Sequence, residues 1–133
     1  MTNLLLRTFR LCATLALALL ISAPAMAASI SPAGQWEVTT GDARYKVTIC
    51  GDGTALCAKL VWLAPAARTV ENLALLNTYV VRGATATGET TWSGDVTLDG
   101  RSYSGTVTLV SKNYLKLKGC SGFLCQTYEF TRI

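Results

Sequence analysis

The residues best suited to chemistry in this sequence are four cysteines that occur as two close pairs. Six residues separate Cys50 from Cys57, and four residues separate Cys120 from Cys125. Cysteine thiolates can bind zinc, but these spacings differ from those of zinc knuckles, and the chain contains no histidine. Redox-active thiols usually occur as Cys-x-x-Cys, a spacing that is absent here. We therefore expect disulfide bonds.

The strands that hold these cysteines favour one disulfide pairing. Side chains two positions apart in a strand share a face. In the runs YKVTIC and NYLKLKGC, the cysteine falls on the polar face, and its partner begins the next strand on the same side. Both members of each pair therefore lie on the solvent side, at matching ends of adjacent strands. Of the pairings that four cysteines allow, we favour Cys50–Cys57 and Cys120–Cys125.

The N-terminus has the features of a secretory signal peptide. Arg7 and Arg10 precede an apolar run, Leu11 to Ile21, and Ala25-Met26-Ala27 has the small-x-small cleavage pattern. We predict that residues 1–27 are removed on export. An uncleaved membrane anchor is the alternative, but the apolar run is short for a bilayer span.

Cleavage would leave residues 28–133 as a single domain, either periplasmic or secreted, with no stable membrane anchor. Loss of Cys12 leaves four cysteines, as two disulfides in an oxidising compartment require. The remaining chain has ten basic and eight acidic residues, so the net charge falls from +4 to +2. This charge is too small to indicate a nucleic-acid partner.

Short strands separated by turn sequences account for most of this domain. Gly34 opens the first strand, and Asp99-Gly100 is typical of a two-residue hairpin turn. About eight such strands with little helix indicate an all-β sandwich or barrel. Residues 64–77 are the exception, because Pro65 interrupts the strand pattern. We predict a short helix or ordered loop there, as a functional lid or as a plug over the core.

Two residues at the ends of the domain resemble the lipocalin arrangement. Gly34-Gln35-Trp36 opens the first strand, and Arg132 closes the last one. In lipocalins, the tryptophan of a Gly-x-Trp motif plugs the base of the barrel, and an arginine packs across its ring as a cation–π contact. The resemblance therefore implies a structural role for Trp36 and Arg132.

A wider set of motifs resembles the bacterial exported family known as domain of unknown function 2147. The motifs are Gly34 with Trp36, Ile49-Cys50, Leu56-Cys57, Leu60-Val61-Trp62-Leu63, Glu71-Asn72, Trp92-Ser93-Gly94, Asp99-Gly100-Arg101-Ser102-Tyr103, Leu115-Lys116-Leu117-Lys118-Gly119-Cys120 and Thr131-Arg132-Ile133. The resemblance implies an all-β fold: a small antiparallel up-and-down barrel of about eight strands, lipocalin-like, with one short helix or long loop. It also implies an exported location, and it supplies no activity.

Aromatic side chains predicted to face the barrel interior suggest ligand binding. A barrel of this size either encloses one small molecule or fills with side chains. Rings with hydroxyl or indole groups can line a largely apolar pocket. We predict a small apolar ligand contacted by Tyr45, Trp62, Tyr79, Trp92, Tyr103 and Tyr128. The alternative is that the same rings fill the core.

Apolar residues in predicted loops support a second hypothesis. Leu73 to Leu76 lie in the long connection, and Phe123-Leu124 lie in the last turn. These segments could contact another envelope protein, with the chain acting as an interaction or inhibitor module around a filled barrel. The same segments could instead fold over the barrel mouth.

We do not expect catalysis, a cofactor or a bound metal. Without histidine, ordinary Ser/His and Cys/His nucleophile arrangements are impossible. Most acidic residues occupy predicted turns or polar faces, where a carboxylate is usually solvated and has no catalytic role. Glu71-Asn72, in the long connection, is the polar pair most worth mutating.

Overall fold

The computed structural model describes residues 21–23, 29–98 and 100–133. The predicted signal peptide, residues 1–27, lies almost entirely outside the described residues and stays a prediction. The domain boundary at residue 28 is likewise untested. Asp99, from the predicted hairpin turn, also lies outside the described residues.

Eight antiparallel strands form one closed barrel. Their bounds are β1 Gly34–Val38, β2 Ala43–Cys50, β3 Ala55–Leu63, β4 Tyr79–Ala86, β5 Thr91–Leu98, β6 Arg101–Ser111, β7 Tyr114–Ser121 and β8 Leu124–Arg132. Each strand pairs with the next along the chain, and β1 pairs with β8 to close the sheet. A 3-10 turn, Pro65–Ala67, and a short helix α1, Val70–Leu75, connect β3 to β4. The predicted all-β, up-and-down, lipocalin-like barrel is therefore confirmed.

The core lies inside the barrel because apolar and polar side chains alternate along the strands. Within the described residues, every buried side chain of the core is apolar. The largest fully buried ones are Trp36, Leu56, Val81, Val96 and Leu109. Closure of the sheet leaves no long unpaired strand edge, so the barrel avoids edge-to-edge aggregation.

The end of the barrel at which β1 begins and β8 ends is closed, and we call it the closed end. The Trp36 indole is completely buried there, and its Nε1 donates a hydrogen bond to the Pro32 carbonyl at 2.8 Å. The Arg132 guanidinium lies over the Trp36 ring. Its nitrogens also donate to three backbone carbonyls, those of Ser31, Ala33 and Lys112. These bonds tie the segment before β1 to the end of β8.

Gly34 permits this close packing at the start of β1. A Cβ atom at this position would lie 2.5 Å from Arg132 Nη1. The backbone φ of Gly34 is also +143°, a value that side chains disfavour. The backbone conformation and the arginine that covers the tryptophan therefore both favour glycine in the Gly-x-Trp motif.

Two β-bulges turn Trp62 and Tyr79 outward, so the prediction that these rings face the interior is wrong. Arg44 lies opposite Trp62, but Tyr45 lies opposite Leu60, which leaves one extra residue in β3. In β4, Lys59 lies opposite Tyr79 and Ala58 opposite Val81, again with one extra residue. A bulge places two residues opposite one and reverses the alternation beyond it.

Both predicted disulfides are present. Cys120 and Cys125 lie directly opposite each other on β7 and β8, with their Cα atoms 4.0 Å apart. Cys50 and Cys57 bridge β2 and β3 at a Cα separation of 6.0 Å, and the turn between them lies at the closed end. The cysteines lie on the outer faces of their strands, as the alternation predicts.

Candidate ligand-binding cavity

A cavity of about 490 Å³ occupies the barrel interior. Its walls come from the inward faces of the strands and are mainly apolar. Representative wall residues are Val47, Ala58, Leu60, Val81 and Leu117. The barrel is therefore open inside, and its core side chains form a lining around a space.

Aromatic side chains form the deep part of this cavity. Trp36 lines it from the closed end. The rings of Tyr45 and Phe130 also line it and meet edge to face, with their centroids 5.5 Å apart and their planes at 89°. Such T-shaped pairs are a favourable aromatic geometry. Together these rings give the base of the cavity a rigid apolar surface.

The mouth of the cavity lies at the opposite end of the barrel, which we call the open end. Thr40 and Asp42, from the β1–β2 loop, and Thr69 and Asn72, from the β3–β4 connection, line this region. The Ala64 amide donates to the Asp42 carbonyl at 2.8 Å, which joins the two loops. Polar groups therefore gather around the mouth, while the walls below it are apolar.

The β3–β4 connection is held in place by capping bonds. Thr69 caps the N-terminus of α1 by accepting a hydrogen bond from the Asn72 amide at 3.2 Å. The Asn72 side chain donates to the Ala67 carbonyl at 2.8 Å. Ala67 and Leu75 pack against the core, so this segment lies partly across the mouth. The predicted short helix is present, and it borders the cavity.

Two of the six predicted ligand-contact residues, Tyr45 and Tyr128, line the cavity. The Tyr128 hydroxyl donates to Gln126 Oε1 at 2.8 Å. Trp92 is buried, but its Nε1 donates to the Thr54 carbonyl at 2.9 Å in the β2–β3 turn at the closed end. Trp92 therefore seals the core there and does not line the cavity.

Tyr103, Trp62 and Tyr79 also lie outside the cavity lining. Tyr103 is half-buried opposite Val96 on the inward side of β6. Trp62 and Tyr79 lie on the outer surface because of the bulges described above. Only a minority of the predicted aromatic set therefore surrounds the cavity.

Sequence reasoning missed several residues that border the cavity. Val80 lines the cavity because the β4 bulge makes two successive residues, Val80 and Val81, face inward. Thr40 and Asp42 looked like ordinary turn residues. Of the suspected pair in the long connection, Asn72 lines the mouth, whereas Glu71 is exposed.

Residues 34–132 match a protein family described as "Uncharacterized protein conserved in bacteria (DUF2147)". The chain belongs to this family. The match runs from the first residue of β1 to the last residue of β8, so it covers the whole barrel. The family description names no activity. No curated protein and no solved structure matches the chain.

The pKa shifts of this DUF2147 member lie away from the cavity. The Thr54 hydroxyl and amide donate to the Asp52 carboxylate and lower its pKa below 3.8, in the exposed β2–β3 turn. A hydrogen bond with Glu129 raises the pKa of Tyr114 above 10.0.

Among the described residues, no group of three cysteine or acidic side chains could hold a metal ion. No helix in the described part of the chain is long and apolar enough to cross a membrane.

Proposed function

We propose that this protein is exported to the bacterial cell envelope and binds a small, largely apolar molecule inside its barrel. The observation that supports the proposal is the cavity of about 490 Å³ with apolar walls. Binding sites for small molecules usually measure roughly 300–1,000 Å³ and combine apolar walls with a few polar groups. The cavity has this size and this composition.

The distribution of polar groups favours an elongated ligand. The apolar part of such a molecule would lie against Tyr45, Phe130 and the buried Trp36. Its polar end would reach Thr40, Asp42 and Asn72 at the mouth, where it can also contact water. Burial of the apolar part supplies the driving force, at about 25 cal/mol for each Å² removed from water.

Two disulfides and the family relation support the exported location. Disulfides persist in oxidising compartments such as the bacterial periplasm and are rare in the cytosol. The family is conserved in bacteria. The signal peptide predicted for residues 1–27 supplies a route of export.

The proposal is tested by filling the cavity with a side chain. Ala58 is buried midway along the cavity wall, opposite Val47 on one side and Val81 on the other. Ala58→Phe would project a ring into the empty space. Thr106→Phe is the matched control, because Thr106 is exposed on the outer side of β6. The measurement is a fluorescence titration with N-phenyl-1-naphthylamine, a neutral apolar dye.

We expect the wild type and Thr106→Phe to bind the dye with equal affinity, and Ala58→Phe to bind it at least about tenfold more weakly, a loss of about 1.4 kcal/mol. Circular dichroism would show that both variants keep the barrel. Equal dye binding by folded Ala58→Phe would place the dye elsewhere and contradict the proposal. If that variant fails to fold, Ala67→Trp at the mouth provides the same test.

Exposed apolar side chains at the open end favour a second candidate function, contact with another envelope protein. Phe123 is 95% exposed at the β7–β8 turn, next to Leu124. Gly122 has a positive φ at the first position of this two-residue turn, as tight hairpin turns favour. A photoreactive residue in place of Phe123 should then crosslink a discrete envelope protein. Crosslinking no stronger than from position 106 would contradict this function.

A further inference from the structure

The outer surface of β2, β3 and β4 concentrates positive charge and aromatic rings. We call this surface the basic aromatic face. Its six members are Arg44, Lys46, Lys59, Trp62, Tyr79 and Arg82. They occupy adjacent positions on three paired strands, and the sheet register brings them together even though they are scattered along the sequence.

The centre of this face is a pair of like charges. Lys46 lies directly opposite Lys59, and Lys59 lies directly opposite Tyr79. Like charges directly opposite each other destabilise an antiparallel sheet. Among residues 29–98 and 100–133, neither lysine has a carboxylate within 4.0 Å. The free protein therefore keeps a repulsive pair that no described residue neutralises.

Aromatic rings hold two of the cations in defined positions. The Arg44 guanidinium lies 4.3 Å from the centre of the Trp62 ring, and its Nε pairs with Glu37 at 2.6 Å. The Lys59 ammonium lies 5.3 Å from the centre of the Tyr79 ring. Such contacts reduce the conformational entropy that the side chains lose when a partner binds. The cations are thus arranged before any partner arrives.

The opposite side of the barrel has one cation–ring contact, Lys116 with Tyr114, but no pair of like charges directly opposite each other among its described residues. The outward positions that pair between β5 and β6 include Ser93 with Thr106 and Asp95 with Ser104. On β7 and β8, Lys116 pairs with Glu129 at 3.9 Å. Lys118 on β7 also lies opposite an uncharged residue, Thr127, but among the described cross-strand pairs only Lys46 with Lys59 places two cations directly opposite each other. An uncompensated pair of this kind suits an electrostatically complementary interface.

We propose that the basic aromatic face binds an acidic surface of another protein. The carboxylates of such a partner would supply the counter-charge that Lys46 and Lys59 lack. Trp, Tyr and Arg are also the residue types that dominate the energetic centres of protein interfaces. A membrane fits this face less well, because the large exposed side chains Val70, Phe123 and Leu124 lie at the open end.

The test uses labelled poly-L-glutamate as an acidic polypeptide, with fluorescence anisotropy as the readout. Lys46→Glu reverses one charge of the central pair. Lys118→Glu makes the same change on β7, at an exposed outer position opposite Thr127, and so controls for net charge. Vesicles containing phosphatidylglycerol serve as the competing anionic surface. All proteins are also tested for dye binding in the cavity.

We expect the wild type to bind poly-L-glutamate with an affinity that falls as salt is raised. Lys46→Glu should weaken binding at least about fivefold, and Lys118→Glu less than about twofold. Lys46→Glu should also raise the midpoint of thermal unfolding, because it replaces a repulsive cross-strand pair with an attractive one. A simultaneous gain in stability and loss of binding is the signature of a surface kept for a partner.

Equal weakening by the two substitutions would show that only net charge matters, and this would overturn the proposal. Binding to the vesicles that depends on Lys46, without binding to poly-L-glutamate, would also overturn it in favour of a lipid surface. Unchanged dye binding in Lys46→Glu would keep this test separate from the cavity. The proposal that the cavity binds a ligand is therefore tested separately, by dye binding.

Discussion

The Arg132 guanidinium carbon lies 4.3 Å from the centre of the Trp36 ring and joins the first strand of the barrel to the last one. This contact closes the sheet at the point where its two ends meet. It also forms the closed end, against which the cavity begins. The same pair therefore stabilises the barrel and defines the base of the candidate binding site.

Replacing Arg132 should destabilise the protein more than the loss of a surface-accessible arginine usually does. Arg132→Met keeps the length of the side chain but removes three hydrogen bonds to backbone carbonyls and the stacking on Trp36. We expect a loss of about 2–5 kcal/mol in the free energy of unfolding, measured by urea denaturation. Arg101→Met, at an exposed position, should cost far less. Equal costs would mean that the closed end is not held by Arg132.

Removing either disulfide should have a similar, moderate effect. Each bridge closes a short loop, with sequence separations of 7 for Cys50–Cys57 and 5 for Cys120–Cys125. Chain-entropy arguments give about 2–3 kcal/mol for loops of this size. Paired Cys→Ser substitutions should lower the urea midpoint by matching amounts, and the double-bridge variant should lose roughly the sum. Wild type with four free thiols after isolation without reductant would contradict this expectation.

The pKa of Asp52 gives a prediction for acid pH. The Thr54 hydrogen bonds lower this pKa below 3.8 in the folded state, so they stabilise the fold above the unfolded pKa. That contribution is lost as the pH falls through the lower, folded pKa. Below about pH 4, Asp52→Asn should therefore lose stability less steeply than the wild type. Urea midpoints measured across acid pH test this, with Asp95→Asn as the control.

Much of the fold was predictable because it follows from alternation and from paired cysteines. Both disulfides and the hairpins that hold them follow from side chains that repeat every second residue, whereas the choice of a barrel over a sandwich came from the family resemblance. The failures have a local physical cause. One extra residue in β3 and one in β4 reverse the alternation, and this turned Trp62 and Tyr79 outward. No glycine or proline marks these two bulges, unlike the other irregularity in β4, which falls at Gly83.

The candidate site was predictable only in part. Tyr45 and Tyr128 line the cavity, but the number of aromatic residues cannot reveal whether their rings fill the barrel or surround a space. That outcome depends on where each ring lies along the barrel axis. Trp92 packs at the closed end, against the β2–β3 turn, and so leaves the middle of the barrel open. The basic aromatic face depends on register and was likewise hidden in the sequence.

The central claim is that the barrel encloses a small apolar molecule. Native mass spectrometry of the protein, purified from the bacterial envelope without reductant, tests it most directly when the same sample is then denatured. We predict an additional mass that is lost on denaturation, is absent from Ala58→Phe and is retained by Thr106→Phe. The bare mass of the disulfide-bonded chain, unchanged even after incubation with an envelope lipid extract, would contradict the account.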